Sequence, residues 1–342
     1  MTAPKKLEFA NYTLKFGNQV LLDLFEEIVW PSFLDGKYLR EIRGGGEIFF
    51  MDTKIISLED TINGTPILAI TGRIMKATTV RRDQLLTKDR KIIEDTKVLD
   101  SYPSSIFTLI LNNHRLIFSK ECAGAPSIND FRITSQFCLT QRYKEFINEL
   151  YQQNLNERKT NKKIPKITKK SLFEKYIFPE LRVTPLPCKT DLEDFLKKFS
   201  IIKQYEIKLL PTNDEELQND GWWKHLESTN NKMNGTVASV SFSNNKDGLN
   251  FEQVKNSIQE ATAQANSELK IVGVDTSGDK MSGDNDEFKL TSIIPSLAKE
   301  LSIASSQMYF RLKQLIQEGI ISFPETRSIG EKIITIYNKF IN

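Results

Sequence analysis

The chain has 342 residues, about twice the common domain size, and 39% of them are hydrophobic, enough to fill real cores rather than make a disordered polymer. Lys+Arg 47 against Asp+Glu 44 leaves a formal charge of only +3, so attraction to an anionic partner has to come from local clustering. Cys122, Cys138 and Cys188 form no CxxC or other paired spacing, which argues against a disulfide framework and a zinc site. Met1-Thr-Ala-Pro-Lys-Lys leads into an alternating segment, and no run of about 18 apolar residues occurs, so the expectation is a cytoplasmic protein with no direct membrane insertion.

Strand-like pieces at 7–16, 47–57, 67–80, 106–111 and 115–120 dominate the first part of the chain. Asn63-Gly64, Asn112-Asn113 and Gly44-Gly45-Gly46 are the short breaks at which antiparallel strands reverse. A helix is expected over 18–30, with Val20, Leu21, Leu24, Phe25 and Ile28 on one stripe and Pro31 ending it, and a second over 127–151. From residue 158 to 170 there follow Arg158, Lys159, Lys162, Lys163, Lys166, Lys169 and Lys170, with no acidic residue among them and Pro165 in the middle. Such a run repels itself and makes poor core material, so it reads equally as a solvated linker or as an arm for a phosphate backbone.

Beyond it the pattern alternates: strand 181–186, helix 190–199 capped by Thr190 or Asp191, strand 205–210, helix 221–232, strand 237–242, helix 251–265, then a hairpin of 269–274 with 288–294. Helical pieces at 297–301, 307–317 and 329–340 close the chain. The fold class is therefore α+β: a β-rich N-terminal domain (1–152), a basic linker (153–172), an α+β sandwich domain (173–295) and a helical tail (296–342).

The tail from Ile294 to Ile321 resembles the helix-turn-helix of winged-helix DNA binders. Ala298 is small where two helices would cross, Ser305 or Ser306 is placed to cap the second helix, and Gly319 to end it. Gln307, Arg311 and Lys313 would then face a groove, although Pro324 stands where a wing should form. Packing of the same helices on the sheet is the alternative. In the β-rich half, Arg73, Lys76, Arg81 and Arg82 form a candidate basic edge that Lys88, Arg90 and Lys91 extend. Trp222 and Trp223 suit a core anchor better than base stacking.

Catalytic signatures are scarce. His114 and His225 lie in no nucleophile motif, and GxxxxGK[ST], GxGxxG and HExxH are all missing, so no cofactor is expected. The enzyme alternative is a Mg²⁺-dependent nuclease in which Asp275 and Glu287 hold the metal and Lys289 aids the attacking water. Acid-x-lysine triplets recur at Asp52-Thr53-Lys54 and Asp95-Thr96-Lys97, however, and the 275–287 loop lacks EF-hand spacing.

Tyr102-Pro-Ser-Ser-Ile-Phe, Arg115-Leu-Ile-Phe and Gly124-Ala-Pro-Ser-Ile-Asn-Asp-Phe resemble a region of the phage lambda exclusion protein RexA family, and Leu269-Lys-Ile-Val-Gly-Val-Asp-Thr-Ser-Gly-Asp is similar to that family's late hairpin. The resemblance covers these two patches and the order of elements. It implies a DNA-binding, self-associating sensor of an abortive-infection system that signals to a membrane-protein partner, and it assigns no DNA-contact residue. Three functions thus stand open: sequence-tolerant nucleic-acid binding with DNA favoured, nucleic-acid hydrolysis, and an interaction scaffold.

Overall fold

The computed structural model describes residues 4–62, 64–86, 88–210, 222–233, 235, 237–262, 267–321 and 329–341. In chain order the first elements are β1 (Lys5–Phe16), β2 (Gln19–Val20), an irregular helical segment over 21–33, β3 (Arg40–Glu41), β4 (Glu47–Ile62), β5 (Thr65–Leu86), β6 (Ile92–Ser101), β7 (Ser104–Ile110) and β8 (Arg115–Lys120). Then come α1 (Ile128–Thr160), α2 (Lys169–Lys175), β9 (Glu180–Pro185), α3 (Lys189–Leu196), β10 (Phe199–Leu209), α4 (Trp222–Lys232), β11 (Ala238–Ser243) and α5 (Phe251–Thr262). The chain closes with β12 (Ser267–Asp275), β13 (Lys280–Asp284), β14 (Thr291–Ile294), α6 (Leu301–Gln317) and α7 (Gly330–Phe340). Helix and strand occur in near-equal measure, and the fold is mixed α+β around a curled antiparallel sheet.

The large sheet has ten strands in the order β14-β1-β8-β7-β5-β4-β3, with β2 and β9 also on β1 and β6 on β5. Its faces are separated by strand alternation. Ala10, Tyr12, Leu14 and Phe16 of β1, with Phe107 and Leu109 of β7, pack against the 21–33 segment, α1, α2 and α7. Leu7, Phe9, Ile106 and Ile110 pack on the opposite face against α6. Because both faces are covered, the central strands read as unbroken apolar runs, as in Ile106–Ile110 apart from Thr108.

The 21–33 segment buries the expected stripe of Leu21, Leu24, Phe25 and Ile28, but as successive 3-10, π and 3-10 turns rather than one helix. Pro31 stands in the first turn of the last of these, where its missing N–H costs little. At the β3–β4 turn Gly46 has φ 105°, and a Cβ there would lie 2.3 Å from the Ala77 carbonyl oxygen, so only glycine fits.

The second sheet, β11-β10-β12-β13, packs one face on α3 and α5 around Phe195, Ile207, Ile258, Leu269 and Phe288. The division expected at the basic segment is not how the strands pair. β9 and β14 both join β1 of the large sheet, at 10–15 and 5–8 respectively, so the smaller sheet is carried on an insertion between them. Its two connections run side by side, with Leu290 N–H donating to the Leu186 carbonyl at 2.7 Å. The expected hairpin also differs: β12 pairs with β13 through the 275–279 turn, Phe288 fills the small core, and the chain after it crosses to β1.

The tail is corrected as well. Leu301–Gln317 is one uninterrupted helix, so no turn separates two short helices at 302–306 and no helix-turn-helix forms there. Ser305 caps nothing. It is buried, 2.6 Å from the Thr71 hydroxyl and 3.1 Å from that of Thr108, on the two strands beneath α6. Gly319, at φ 70°, does end the helix, with Ile320 N–H returning to the Leu315 carbonyl. Pro324 lies outside the described residues.

Candidate nucleic-acid interface

Helix α1 starts at a capping box, in which Ser127 Oγ accepts from Asp130 N–H at 3.1 Å and Asp130 Oδ2 accepts from Ser127 N–H at 2.9 Å. Its 33 residues make a rod of about 50 Å. The buried stripe of Phe131, Cys138, Phe146 and Ile147 ends at Asn154, so the last two turns project beyond the core. There the macrodipole places partial negative charge, which Arg158 and Lys159 in the final turn complement.

The following residues form an ordered return rather than a loose linker. Asn154 Nδ2 donates to the Pro165 carbonyl at 3.1 Å, and its Oδ1 accepts from Ile167 N–H at 3.0 Å. Arg158 Nε donates to the Ile164 carbonyl at 3.1 Å, and Lys163 N–H donates to Asn161 Oδ1 at 3.0 Å. Thr168 then caps α2 by accepting from Ser171 N–H, and buried Leu172 anchors that helix on α1. The lysine-rich stretch is therefore wrapped around the end of α1 with its backbone bonds made locally.

Lys159, Lys162, Lys163, Lys166, Lys169 and Lys170 are all exposed on this knob. Lys169 lies 5.3 Å from the Tyr151 ring centroid. Lys170 meets Glu174 at 3.9 Å with both side chains largely in water, a pair that solvent screens. Lys159 donates to the neutral Asn156 amide oxygen at 3.1 Å. Among the described residues Lys159, Lys162, Lys163 and Lys166 enter no salt bridge. Arg158, by contrast, is spent on closing the turn.

Among the described residues no hydrogen bond or salt bridge joins the other predicted clusters to this knob. Arg73 is a clamp: its guanidinium meets Asp52 at 2.6 Å, Glu121 at 3.0 Å and the Lys299 carbonyl at 3.2 Å. Burial opposes its charge, but hydrogen bonds and attraction from Glu121 and Asp52 outweigh that and raise its pKa. Lys76 is half-buried on β5. Arg81 lies about 26 Å farther along the strand than Arg73 at ~3.3 Å per residue, where β5 leaves the sheet to pair with β6 alone. The side chains of Arg81 and Arg82, like those of Trp222 and Trp223, lie outside the described residues. Lys88, Arg90 and Lys91 are exposed at the tip of that ribbon.

On α6, Gln307 accepts from Ala298 N–H at 2.9 Å, and Arg311 donates to Ser292 at 2.7 Å and meets Glu318 at 3.2 Å. The Lys313 ammonium lies 5.9 Å from the Tyr309 ring centroid. Gln307 and Arg311 thus tie α6 to the segment before it instead of forming a reading face.

The nuclease residues are also apart. Asp275 accepts from Ser277 and Asp279 N–H at one end of β12, whereas Glu287 follows Asn285, which bonds Leu269 at the other end, about 20 Å away at strand rise. Lys289 faces Glu8 at 3.7 Å. Among the described residues no group of three His, Cys, Asp or Glu side chains gathers to hold a metal. His114 is buried in the β7–β8 turn and His225 is exposed on α4.

A cleft of about 630 Å³ separates the start of α1 and β9 from the outer face of the small sheet, where Glu268 bridges Arg182 at 3.4 Å and Lys208 at 3.0 Å. Its mixed charge does not suit a polyphosphate. The residue missed in sequence is Asn154. Its signal was a polar side chain seven residues after Ile147, on the apolar stripe of α1, which is a position that pays off only if the amide has backbone partners. No family model matches the chain, and no curated protein matches it.

Proposed function

We propose that the chain binds the phosphate backbone of nucleic acid, duplex DNA foremost, with little sequence preference. The supporting observation is the knob at the end of α1: seven cations in residues 158–170 without a carboxylate, six of them exposed lysines held on an ordered return. Ammonium groups supply point charges rather than paired donors for base edges, and Gln307 and Arg311 of α6 are engaged within the chain, so the contacts position without specifying. We infer a phage-defence setting from the resemblance to the RexA family, with the chain acting as a sensor or regulator that self-associates and signals to a membrane-protein partner. Among the described residues no helix is long and apolar enough to cross a membrane.

The test is fluorescence anisotropy of a labelled duplex with the full chain over a salt series, with and without Mg²⁺. Each neutralised phosphate contributes a log–log slope of about −0.9, so roughly four contacts predict a ~150-fold loss of affinity between about 50 and 200 mM salt. Lys162→Glu with Lys163→Glu and Lys166→Glu should abolish binding while leaving the fold intact by circular dichroism. No binding at low salt, or unchanged binding by the triple variant, refutes the proposal; Mg²⁺-dependent cleavage would instead favour hydrolysis.

A further inference from the structure

A second surface runs on from the knob along α2. Lys169 and Phe173 stand four residues apart and so share one face of that helix. The Lys169 ammonium lies over the Tyr151 ring, and the Phe173 ring centroid lies 6.2 Å from that of Tyr143, about two turns earlier on α1. Phe178, just before β9, meets the same Tyr143 ring edge-on at 5.5 Å. Tyr143 is itself buried, and its hydroxyl donates to the Tyr176 carbonyl at 2.6 Å, so it is a fixed support beneath the two phenyl rings. Their outer surfaces stay open, Phe173 being 49% and Phe178 46% exposed.

Charge selects an anionic occupant for these rings. Residues 158–178 carry eight cations and a single carboxylate, Glu174, which is already beside Lys170 at 3.9 Å. An anionic lipid surface calls for a broad apolar helix face to bury, but α2 has only seven residues and its Leu172 is spent on packing against α1. What remains is a pair of aromatic rings held on a rigid support at the side of a lysine-rich surface. Single strands bind such surfaces, because every base has a π face that stacks on an aromatic ring while the phosphates meet the cations. In a duplex those faces are covered by the neighbouring pairs, so the rings suit unpaired bases.

We propose that this surface takes DNA carrying an unpaired stretch, with phosphates on the knob lysines and unpaired bases stacked on Phe173 and Phe178. The proposal rests on the phosphate-binding reading of the knob and adds to it a preference for unpaired bases.

Fluorescence anisotropy of the full chain with three labelled probes separates stacking from charge: a blunt duplex, the same duplex with a thymidine overhang, and the same duplex with an abasic sugar-phosphate overhang. The thymidine overhang should bind at least about fivefold more tightly than the abasic one, the lower end of what one stacked base contributes. Phe173→Leu with Phe178→Leu keeps an apolar cover over Tyr143, and should remove that difference without moving the blunt-duplex affinity or the unfolding midpoint. Phe173→Tyr with Phe178→Tyr should retain it. Blunt-duplex binding with equal affinity for the two overhangs overturns this proposal and leaves the knob standing, whereas no binding of any probe overturns both. A thymidine preference that survives the leucine pair, or that the tyrosine pair loses equally, also overturns it. So does leucine-sensitive binding to vesicles of phosphatidylserine and phosphatidylcholine without a thymidine preference.

Discussion

Replacing Asn154 tests whether the lysine knob is a built platform or a linker. Asn154→Ala removes the two hydrogen bonds that tie Pro165 and Ile167 to α1, at 3.1 and 3.0 Å. At about 1 kcal/mol net each, local closure weakens by ~2 kcal/mol and the open fraction of the return rises roughly 30-fold. Alanine is the better helix former by up to ~0.7 kcal/mol, so global stability moves less than local closure does. The assay is limited trypsin digestion with cleavage sites read by mass spectrometry, because cleavage follows the open population when reclosing is fast. Cutting after Lys162, Lys163 and Lys166 should be slow in the parent and about 30-fold faster in the variant, with the unfolding midpoint shifted little. Unchanged cleavage, or a parent already cut at the rate of an unfolded chain, refutes the ordered return.

Three further predictions follow from the contacts elsewhere. Arg73→Met strands Asp52 and Glu121 and should destabilise the chain by about 2–3 kcal/mol in urea unfolding while leaving duplex affinity unchanged; an affinity loss with unchanged stability would return Arg73 to the interface. Burial raises the pKa of Asp23, but hydrogen bonds from Lys332 and Val20 N–H, with the Lys332 charge, outweigh it and lower the value below 3.8. A depressed folded value means that this stabilisation is present above about pH 4 and is lost as pH falls through the folded pKa. Asp23→Asn should therefore flatten stability against pH in that acid range, and an unaltered profile counts against the α7 tether. Burial pushes the Cys138 thiol up to about 12, so native protein at about pH 8 should react with a maleimide at exposed Cys122 and not at Cys138 until denaturant is added. Equal native labelling of the two would contradict the packing under α1.

Individual elements were legible because their causes are local. The alternation in β1, the apolar stripe of 21–28, the Gly44–Gly46 turn and the Gly319 helix end each follow from periodicity or backbone freedom within a few residues. The tail was misread at Ser305 and Ser306, which look like caps. Ser305 is instead satisfied by Thr71 and Thr108, two residues more than 190 positions away that no local pattern connects to it.

By itself the sequence determined the mixed α+β class, most element positions and the existence of an acid-free lysine run, since composition and period act along the chain. Tertiary structure alone decided which of the charges are paired. Arg73, which the sequence reading includes in a basic edge, is consumed by Asp52 of β4 and by Glu121 just after β8. The lysines of 159–170 stay exposed because Asn154 and Arg158 bond the intervening backbone and leave the ammonium groups to solvent. A sequence shows how many charges a segment carries; which of them remain unneutralised depends on the groups that folding sets within a few ångströms, where Coulomb energy is large.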